Sequence, residues 1–326
     1  MYGRDWQIAI WDTTHFLKAM RTTLTLNQIV DDWIAGCDRL PATRTDYKRK
    51  IRLWFSWLSR QQIEPRSPSR GDILRYKEFL QVQMKSAYTY FSYLTVVQLF
   101  YRYCHERGYY DDIGSGIRTH LRQRMHRKNP LTAFQAQRLV ESIPTTIIVG
   151  KRDKLLVSMM LMLGLRTCEL ERINICDFGL VDNIPTLRIQ RKGHLDKLAI
   201  LALPQKIVEL FEDYIAERNF QEDDPLFINH SRGRVPTRLA KQTISHIVKK
   251  QLRMIGIDDP KITAHSLRHT CGSLLVEQGV DIEVIKELLG HTSTATTRIY
   301  VDMAMKRRLL EDNPSNVVAD IIGEKH

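Results

Sequence analysis

The chain has 326 residues, of which 43% are apolar and 26% are charged, ordinary values for a globular protein that is long enough for two domains. Its formal net charge of +12 and its pI near 9.5 favour a polyanionic partner, because neutralising phosphates releases condensed counterions. The five cysteines include no C-x-x-C pair, which argues against thiol-based metal and redox motifs and favours reduced thiols.

No segment has the character of a secretion signal or a membrane anchor. The N-terminal sequence lacks the basic start and the long apolar run of a signal peptide. The longest apolar run, Leu155–Leu165, is broken by Ser158 and Gly164 and is shorter than the roughly 20 residues that cross a bilayer. We therefore predict a buried helix for this run and a cytoplasmic protein without a membrane partner.

The first part of the chain, to about residue 118, is predicted to be helical. Thr25 is the predicted N-cap of the first helix, Ser69 caps the third, and Gly108 ends the fourth. The second helix, predicted over residues 42–61, has one apolar face and one basic face. The basic face is either solvated or turned towards phosphate, and it consists of Arg44, Lys48, Arg49 and Arg52.

A short basic segment separates the two parts of the chain. Residues 119–130 follow a glycine-containing stretch and end at a proline, which disfavours a continuous helix. We interpret them as a linker between a helical domain over residues 23–118, preceded by an extension over residues 1–22, and a second domain over residues 131–326. Such a linker suits a nucleic-acid backbone, although a solvated linker would have the same composition. Its candidate DNA-binding residues are Arg122, Arg124, Arg127 and Lys128.

The second part mixes helices with a small sheet. Residues 186–203 alternate in polarity and turn at Lys192–His194, which is the pattern of a β-hairpin. The predicted fold class is therefore mainly α, with a small β-sheet in the second domain and a tail from about residue 304. Helices are predicted at about residues 132–142, 152–163, 205–218 and 237–254, and shorter ones start near residues 266, 282 and 294.

Five polar residues interrupt apolar surroundings in the second part. Each has an ordinary structural explanation, such as an ion pair, a helix cap or a place in the core. Together they suit displacement at a phosphodiester, because two arginines clamp its oxygens and histidines donate hydrogen bonds or move protons. A tyrosine hydroxyl is a nucleophile once a base and positive charge favour its ionised form, and a hairpin lysine could protonate the leaving oxygen. The five residues are Arg166, His265, Arg268, His291 and Tyr300.

These residues lie in motifs that resemble those of the tyrosine recombinases, also called phage-type integrases. The motifs are GLRTCEL at residues 164–170, HSLRHT at 265–270, LGH at 289–291, and Tyr300, nine residues after the histidine of LGH. The resemblance covers about residues 131–304. It implies a helical, SAM-like core-binding domain followed by an α+β catalytic domain, and the first part of the chain fits that description loosely by length and helix count.

The resemblance also implies a role for each matching residue. Arg166 and Arg268 would hold the scissile phosphate. His265 would act as general base or orient the phosphate, and His291 would donate a hydrogen bond to it. The other matches are Tyr300 as nucleophile, Glu169 as the acidic residue that supports the site, and Lys192 as general acid, with Lys197 as the alternative.

The implied reaction uses neither a metal nor another cofactor. The tyrosine would form a 3′-phosphotyrosine and release a 5′ hydroxyl, and the hydroxyl of a partner strand would reverse the step. Exchange of two strand pairs through a Holliday junction implies a homo-tetramer on double-stranded DNA with paired inverted sites, in the nucleoid of a prokaryote. The apolar tail would either dock on a neighbouring protomer or pack on its own domain.

Other classes of function fit the sequence less well. His265 and His269 have a spacing that suits a metal, but there is no H-E-x-x-H motif and no pattern for a third ligand. A non-catalytic DNA-binding regulator with the same fold would be expected to have lost some of the catalytic set. A type IB topoisomerase uses similar chemistry, but the compact two-part layout favours a recombinase.

The biological role is harder to predict than the chemistry. The first part is too short for both a core-binding domain and a separate arm-binding domain, which disfavours the larger phage integrases. We expect a simple recombinase that integrates, excises or resolves a mobile element. The alternative is a Xer-like resolvase of chromosome or plasmid dimers.

Overall fold

The computed structural model describes residues 24–84, 87–118, 129–230, 235–291, 293–294, 297–302, 305 and 315–323. The chain divides into two compact units, residues 1–125 and 126–326. Each unit has a hydrophobic core of its own. The predicted extension over residues 1–22 and most of the predicted linker lie outside the described residues.

Four helices form the described part of the first unit. Two of them begin at capping boxes, in which the side chain of the cap and that of the third helical residue each accept from the other's backbone amide. Thr25 pairs in this way with Gln28, and Ser69 pairs with Asp72, so both predicted caps are confirmed. The helices are α1 Leu26–Gly36, α2 Pro41–Arg60, α3 Arg70–Gln83 and α4 Ala87–Glu106.

Aromatic side chains dominate the core of the first unit. Trp54 is fully buried and stacks on Trp57, with ring centroids 5.5 Å apart. Its indole Nε1 donates to the hydroxyl of Tyr101 at 3.1 Å, which satisfies a polar group that burial would otherwise make costly. These aromatic residues therefore belong to the core and not to a base-stacking surface.

The second unit surrounds one nearly apolar helix. This helix, α6 (Ile148–Met162), carries most of the longest apolar run of the sequence, and most of its residues are buried, as predicted. α9 begins at Lys241 and not at Thr237, because the carbonyl of Thr237 accepts from the amide of Asn229 at 2.9 Å in an extended pairing. The helices are α5 Ala133–Glu141, α6 Ile148–Met162, α7 Thr167–Glu171, α8 Gln205–Ile215, α9 Lys241–Met254, α10 Ala264–Glu277, α11 Ile282–Leu289 and α12 Ser315–Gly323, with a helical stretch at residues 297–302 between the last two.

A three-stranded antiparallel sheet lies on the core of the second unit. Its strands are β1 Phe178–Val181, β2 Ile184–Ile189 and β3 Ala199–Ala202, in the order β1-β2-β3. The predicted hairpin corresponds to β2 and β3, with Leu187 opposite Leu201. Strand β1 was not predicted. The fold class, mainly helical with a small sheet in the second unit, is confirmed.

No helix among the described residues is both long and apolar enough to cross a membrane. In the C-terminal helix α12, the apolar side chains of Val317, Val318 and Ile322 are exposed on the single chain. Leu309 and Leu310, which belong to the same predicted apolar tail, lie outside the described residues.

Candidate active site

The site begins where the buried helix α6 ends. Gly164 adopts a left-handed conformation, with φ of 62°, and this turns the chain so that Arg166 precedes α7. The carboxylate of Glu169 is fully buried and accepts from the Arg166 amide at 2.8 Å and from its Nη1 at 2.7 Å. A buried carboxylate that accepts several donors fixes their positions. Glu169 therefore holds both the backbone and the side chain of Arg166.

The hydrogen bonds of Arg268 link three elements of the site. It lies in α10 with only 1% of its surface exposed. Its Nη1 donates to the Gly164 carbonyl at 2.6 Å, and its Nη2 donates to the carbonyl of Leu289 at the end of α11. Burial lowers the pKa of Arg268 to about 10, an effect that the nearby charge of Arg166 reinforces. The guanidinium still carries its charge at neutral pH.

Two histidines of α10 lie one helical turn apart. His265 is exposed, whereas His269 is buried. Their rings meet edge to face with centroids 4.5 Å apart, and the ring of His269 lies 5.4 Å from that of Tyr300. His269 is thus in ring contact with both His265 and Tyr300.

His291 follows the end of α11. Gly290 is left-handed, with φ of 59°, and the imidazole Nδ1 of His291 lies 2.9 Å from the hydroxyl of Thr297. Burial lowers the pKa of His291 to about 3, and the charges of Arg268 and Arg166 contribute to this shift. The ring is therefore neutral near pH 7, so it can donate one hydrogen bond without adding charge.

Tyr300 lies beside these groups and is almost completely enclosed. Its side chain is 2% exposed, and it packs with Cys271, Ile285 and Leu289. Its ring is nearly parallel to that of His291, with centroids 6.1 Å apart. Burial raises the pKa of Tyr300, while the charge of Arg268 acts in the opposite direction. The hydroxyl is thus protonated at neutral pH in this structure.

The two candidate lysines of the hairpin differ in their surroundings. Lys197 forms an ion pair with the buried carboxylate of Asp177. The side chain of Lys192 is exposed, while its backbone amide donates to Glu169 Oε1 at 3.3 Å. The backbone of Lys192 is thus bound to the carboxylate that also holds Arg166, whereas the ammonium group of Lys197 is paired with Asp177.

Arg191 is a member of this cluster that sequence reasoning did not select. It is 9% exposed, and its Nη2 donates to the carbonyl of Leu288 at 2.6 Å. Leu187 and Ile189 are buried on the same side of β2, and Arg191, two residues past the end of the strand, continues this alternation with a buried side chain. That alternation was the available signal.

The proposed DNA-binding residues of the first unit are partly engaged within it. Lys48 pairs with Asp31 at 2.5 Å, and Arg49 contacts Asp46 at 2.8 Å and donates to the Tyr93 hydroxyl at 2.6 Å. The other two differ in exposure, since Arg44 is half-buried and Arg52 is exposed. Arg122, Arg124, Arg127 and Lys128 lie outside the described residues.

The cluster combines positive charge with one enclosed hydroxyl. Arg166 and Arg268 supply guanidinium groups on one buried carboxylate, and His291 and Tyr300 lie next to them. Among the residues that the structure describes, no three histidine, cysteine or acidic side chains are grouped as metal ligands. The arrangement suits the stabilisation of negative charge at a phosphate beside a tyrosine nucleophile.

Comparison with known proteins identifies the family. The model of the phage integrase family matches residues 129–307, which is more than half of the chain. Two similar proteins are a tyrosine recombinase XerA of Pyrococcus furiosus, 30% identical over 85% of this chain and 91% of its own, and a tyrosine recombinase XerC of Thermodesulfovibrio yellowstonii, 29% identical over 80% and 85%. The chain belongs to the phage integrase family and is a tyrosine recombinase.

The fold agrees with that assignment. A crystal structure of the XerH site-specific recombinase bound to palindromic difH substrate, in a post-cleavage complex, superposes with a TM-score of 0.66. The match covers 84% of this chain and 80% of that one, at 22% identity. Both the helical first unit and the second unit with its small sheet therefore follow a known recombinase architecture.

Proposed function

We propose that this recombinase cleaves double-stranded DNA with Tyr300 as its nucleophile. The observation that carries the proposal is the grouping of Tyr300 with His291 and Arg268, with Arg166 and Arg268 sharing the carboxylate of Glu169. The Tyr300 oxygen forms a bond to phosphorus, and the bond from phosphorus to the 5′ oxygen breaks. The products are a 3′-phosphotyrosine and a free 5′ hydroxyl, so the phosphoester bond is conserved for rejoining.

Positive charge and hydrogen bonds stabilise the transition state of this step. Arg166 and Arg268 bind the non-bridging oxygens, as forked donors do best. His291 donates a hydrogen bond to the phosphate from Nε2 when its Nδ1 accepts from Thr297. His265 takes the tyrosine proton or orients the phosphate, and its exposed position lets it meet DNA directly.

A proton must also reach the leaving 5′ oxygen. We assign this role to Lys192, because its side chain is free to turn towards DNA while its backbone is attached to Glu169. Lys197 forms an ion pair with Asp177, which argues against Lys197 as the general acid. Glu169 takes no proton in this scheme and acts by holding Arg166 and Lys192.

The partner is double-stranded DNA with paired inverted sites, on which four protomers exchange strands through a Holliday junction. The net charge of +12 supports a DNA partner. The first unit is the core-binding domain, in which Arg52 is an exposed basic residue of α2 with no ion pair among the described residues, and the predicted linker contributes phosphate contacts. The complex forms on the nucleoid.

The biological role is integration, excision or resolution of a mobile element. A second role, as a Xer-like dimer resolvase, is favoured by the names of the similar proteins, which are Xer recombinases at 28–30% identity. The two roles differ in their DNA sites, and mapping the trapped adducts on the source genome distinguishes them. Adducts at a single chromosomal site favour the resolvase, and adducts at the ends of a mobile element favour the first role.

The nucleophile is tested by trapping covalent protein–DNA adducts. The substrate is a pool of randomised duplexes, each with a nick that lets the short 5′ hydroxyl strand diffuse away after cleavage. Wild-type protein should give adducts that survive denaturation and carry the DNA through its 3′ end, with EDTA present. Tyr300→Phe should bind DNA and give none. Tyr214→Phe, which removes another buried hydroxyl of the second unit, is the matched control and should still give adducts. Adducts from Tyr300→Phe would overturn the assignment.

A further inference from the structure

The buried arginine two residues after β2, Arg191, has no role in the proposed reaction. We infer that Arg191 is a positioning residue, which fixes the start of the β2–β3 hairpin against the end of α11 and thereby places Lys192 for proton transfer. The inference rests on the proposed function of Lys192. It is carried by two attachments that meet at consecutive residues of the chain.

The first attachment is made by the side chain of Arg191. Its Nη2 donates to the carbonyl of Leu288 at 2.6 Å and lies 3.4 Å from that of Glu287. These carbonyls belong to the last turn of α11, where helical carbonyls carry partial negative charge. The Glu287 carbonyl also accepts from the Gly290 amide at 3.0 Å, so the shorter bond to Leu288 is the main attachment, and the guanidinium places positive charge at this end of the helix. The hairpin is thereby linked to the helix that ends two residues before His291.

The fit of this side chain depends on a glycine. A methyl group added at Gly290 would lie 2.6 Å from Nε of Arg191, closer than non-bonded atoms approach. Gly290 also has the left-handed conformation that ends α11. The same residue therefore turns the chain towards His291 and leaves space for the arginine.

The second attachment is made by the next residue. The Lys192 amide donates to Glu169 Oε1 at 3.3 Å, while Glu169 holds Arg166. The backbone between Arg191 and Lys192 is thus held by α11 on one side and by the phosphate-binding half of the site on the other. The exposed Lys192 side chain projects from this fixed point, where a positively charged donor reaches a leaving oxygen with little ordering cost.

Arg191 could instead bind the phosphate itself, because its Nη1 has no hydrogen-bond partner among the described residues. That nitrogen, however, is buried together with the rest of the guanidinium. The attachment to α11 accounts for the inward direction of the side chain. A positioning role predicts a loss of rate that disappears with a leaving group that needs no proton. Phosphate binding predicts the same loss with either leaving group.

The test compares a normal DNA substrate with one that has sulfur in place of the bridging 5′ oxygen, a leaving group that needs no proton. Arg191→Met should slow adduct formation on the oxygen substrate by about 10- to 100-fold, the range expected when a catalytic group is misplaced by about 1 Å. On the sulfur substrate it should react within about threefold of wild type. Arg191→Lys should react on the oxygen substrate at a rate between those of wild type and Arg191→Met. Equal loss on both substrates, or no loss on either, would overturn the inference.

Two further measurements separate this inference from the proposed function. In a Lys192→Ala background, Arg191→Met should cause no additional loss on the oxygen substrate, because residues that act through one another are non-additive. Additive losses would contradict the inference even when Tyr300 is confirmed as nucleophile.

Hydrogen exchange of residues 190–198 should quicken in Arg191→Met without any DNA. The control is Arg188→Met, which removes from nearby β2 a guanidinium that donates to the Cys176 carbonyl, and it should leave both readouts unchanged. Unchanged exchange in Arg191→Met would also count against the inference.

Discussion

Gly272 lies directly beneath the aromatic ring of Tyr300. A methyl group added at Gly272 would be 2.6 Å from Cε2 of the tyrosine and 2.8 Å from Cζ, the atom that carries the hydroxyl. Glycine is otherwise unfavourable in the middle of a helix such as α10, by about 1 kcal/mol relative to alanine. Its presence there is explained by the position that the tyrosine ring must occupy.

Gly272→Ala should therefore displace Tyr300, the proposed nucleophile, while leaving the helix intact. We expect adduct formation to fall at least about tenfold, since small displacements of reacting groups have large effects on rate. Alanine has a higher helix propensity than glycine, so far-UV circular dichroism should show a folded protein. Gly71→Ala in α3 is the control, because its methyl group would meet only Ser69 Oγ at 3.4 Å. An active Gly272→Ala would mean that Tyr300 moves well away from α10 before it reacts.

Glu169→Gln should damage both stability and activity. The buried carboxylate neutralises Arg166 and lies 3.9 Å from Arg268, and removing one partner of a buried ion pair costs about 3 to 5 kcal/mol. We expect urea unfolding to report a loss in this range and adduct formation to fall about 100-fold. Glu171→Gln, where the side chain accepts from the Lys241 amide at 3.1 Å, should change neither by much. Full activity in Glu169→Gln would rule out a supporting role.

The two hairpin lysines should respond differently to the leaving group. Lys192→Met should lose about 100-fold or more on the oxygen substrate, in keeping with the contribution of a general acid, and should recover on the sulfur substrate. Lys197→Met should show the same ratio of the two rates as wild type, because its ammonium group pairs with Asp177. If the recovery occurred in Lys197→Met instead, the general acid would be Lys197.

Stability should fall as the solution is acidified below neutral pH. Burial lowers the pKa of His230 to about 4 and that of His291 to about 3, whereas both return to about 6.5 on unfolding. Between these values the unfolded chain binds more protons, so stability is complete above about pH 6.5 and declines as pH falls. After allowance for their partial exposure, the expected loss at pH 5 is roughly 1 kcal/mol per histidine.

The His230 contribution can be isolated by substitution. The free energy of unfolding, measured by far-UV circular dichroism in urea at about pH 7.5 and about pH 5, should depend less on pH in His230→Asn than in wild type. The exposed His246 of α9 provides the control, and His246→Asn should retain the wild-type dependence. Identical slopes in all three proteins would show that His230 titrates alike in the folded and unfolded states.

Local signals in the sequence predicted most of the fold. The caps at Thr25 and Ser69 were identified because a capping side chain acts within three residues of its own position. Strand β1 was missed because it has four residues and no alternation in burial. Its best signal was the turn at Asp182–Asn183, where both residues have positive φ, a backbone that aspartate and asparagine tolerate better than most residues.

The candidate site was predictable only as a set of motifs. Spacing placed His265 with Arg268 and His291 with Tyr300, but no local rule brings the end of α6 to the end of α11. Arg268 makes that connection through the carbonyls of Gly164 and Leu289. Arg191 was missed for a related reason, since its partners are backbone carbonyls far along the chain, and the alternation after Ile189 indicates only that it is buried.

The enclosure of Tyr300 also bears on what happens after cleavage. A phosphotyrosine bond can be lost to any water that reaches it, and the strand would then remain broken. With its side chain 2% exposed among Cys271, Ile285 and Leu289, the proposed bond would form in a pocket where water is scarce. The 5′ hydroxyl of a paired strand, delivered by the DNA itself, then has the advantage over solvent. The apolar residues around Tyr300 would thus limit loss of the proposed phosphotyrosine to water.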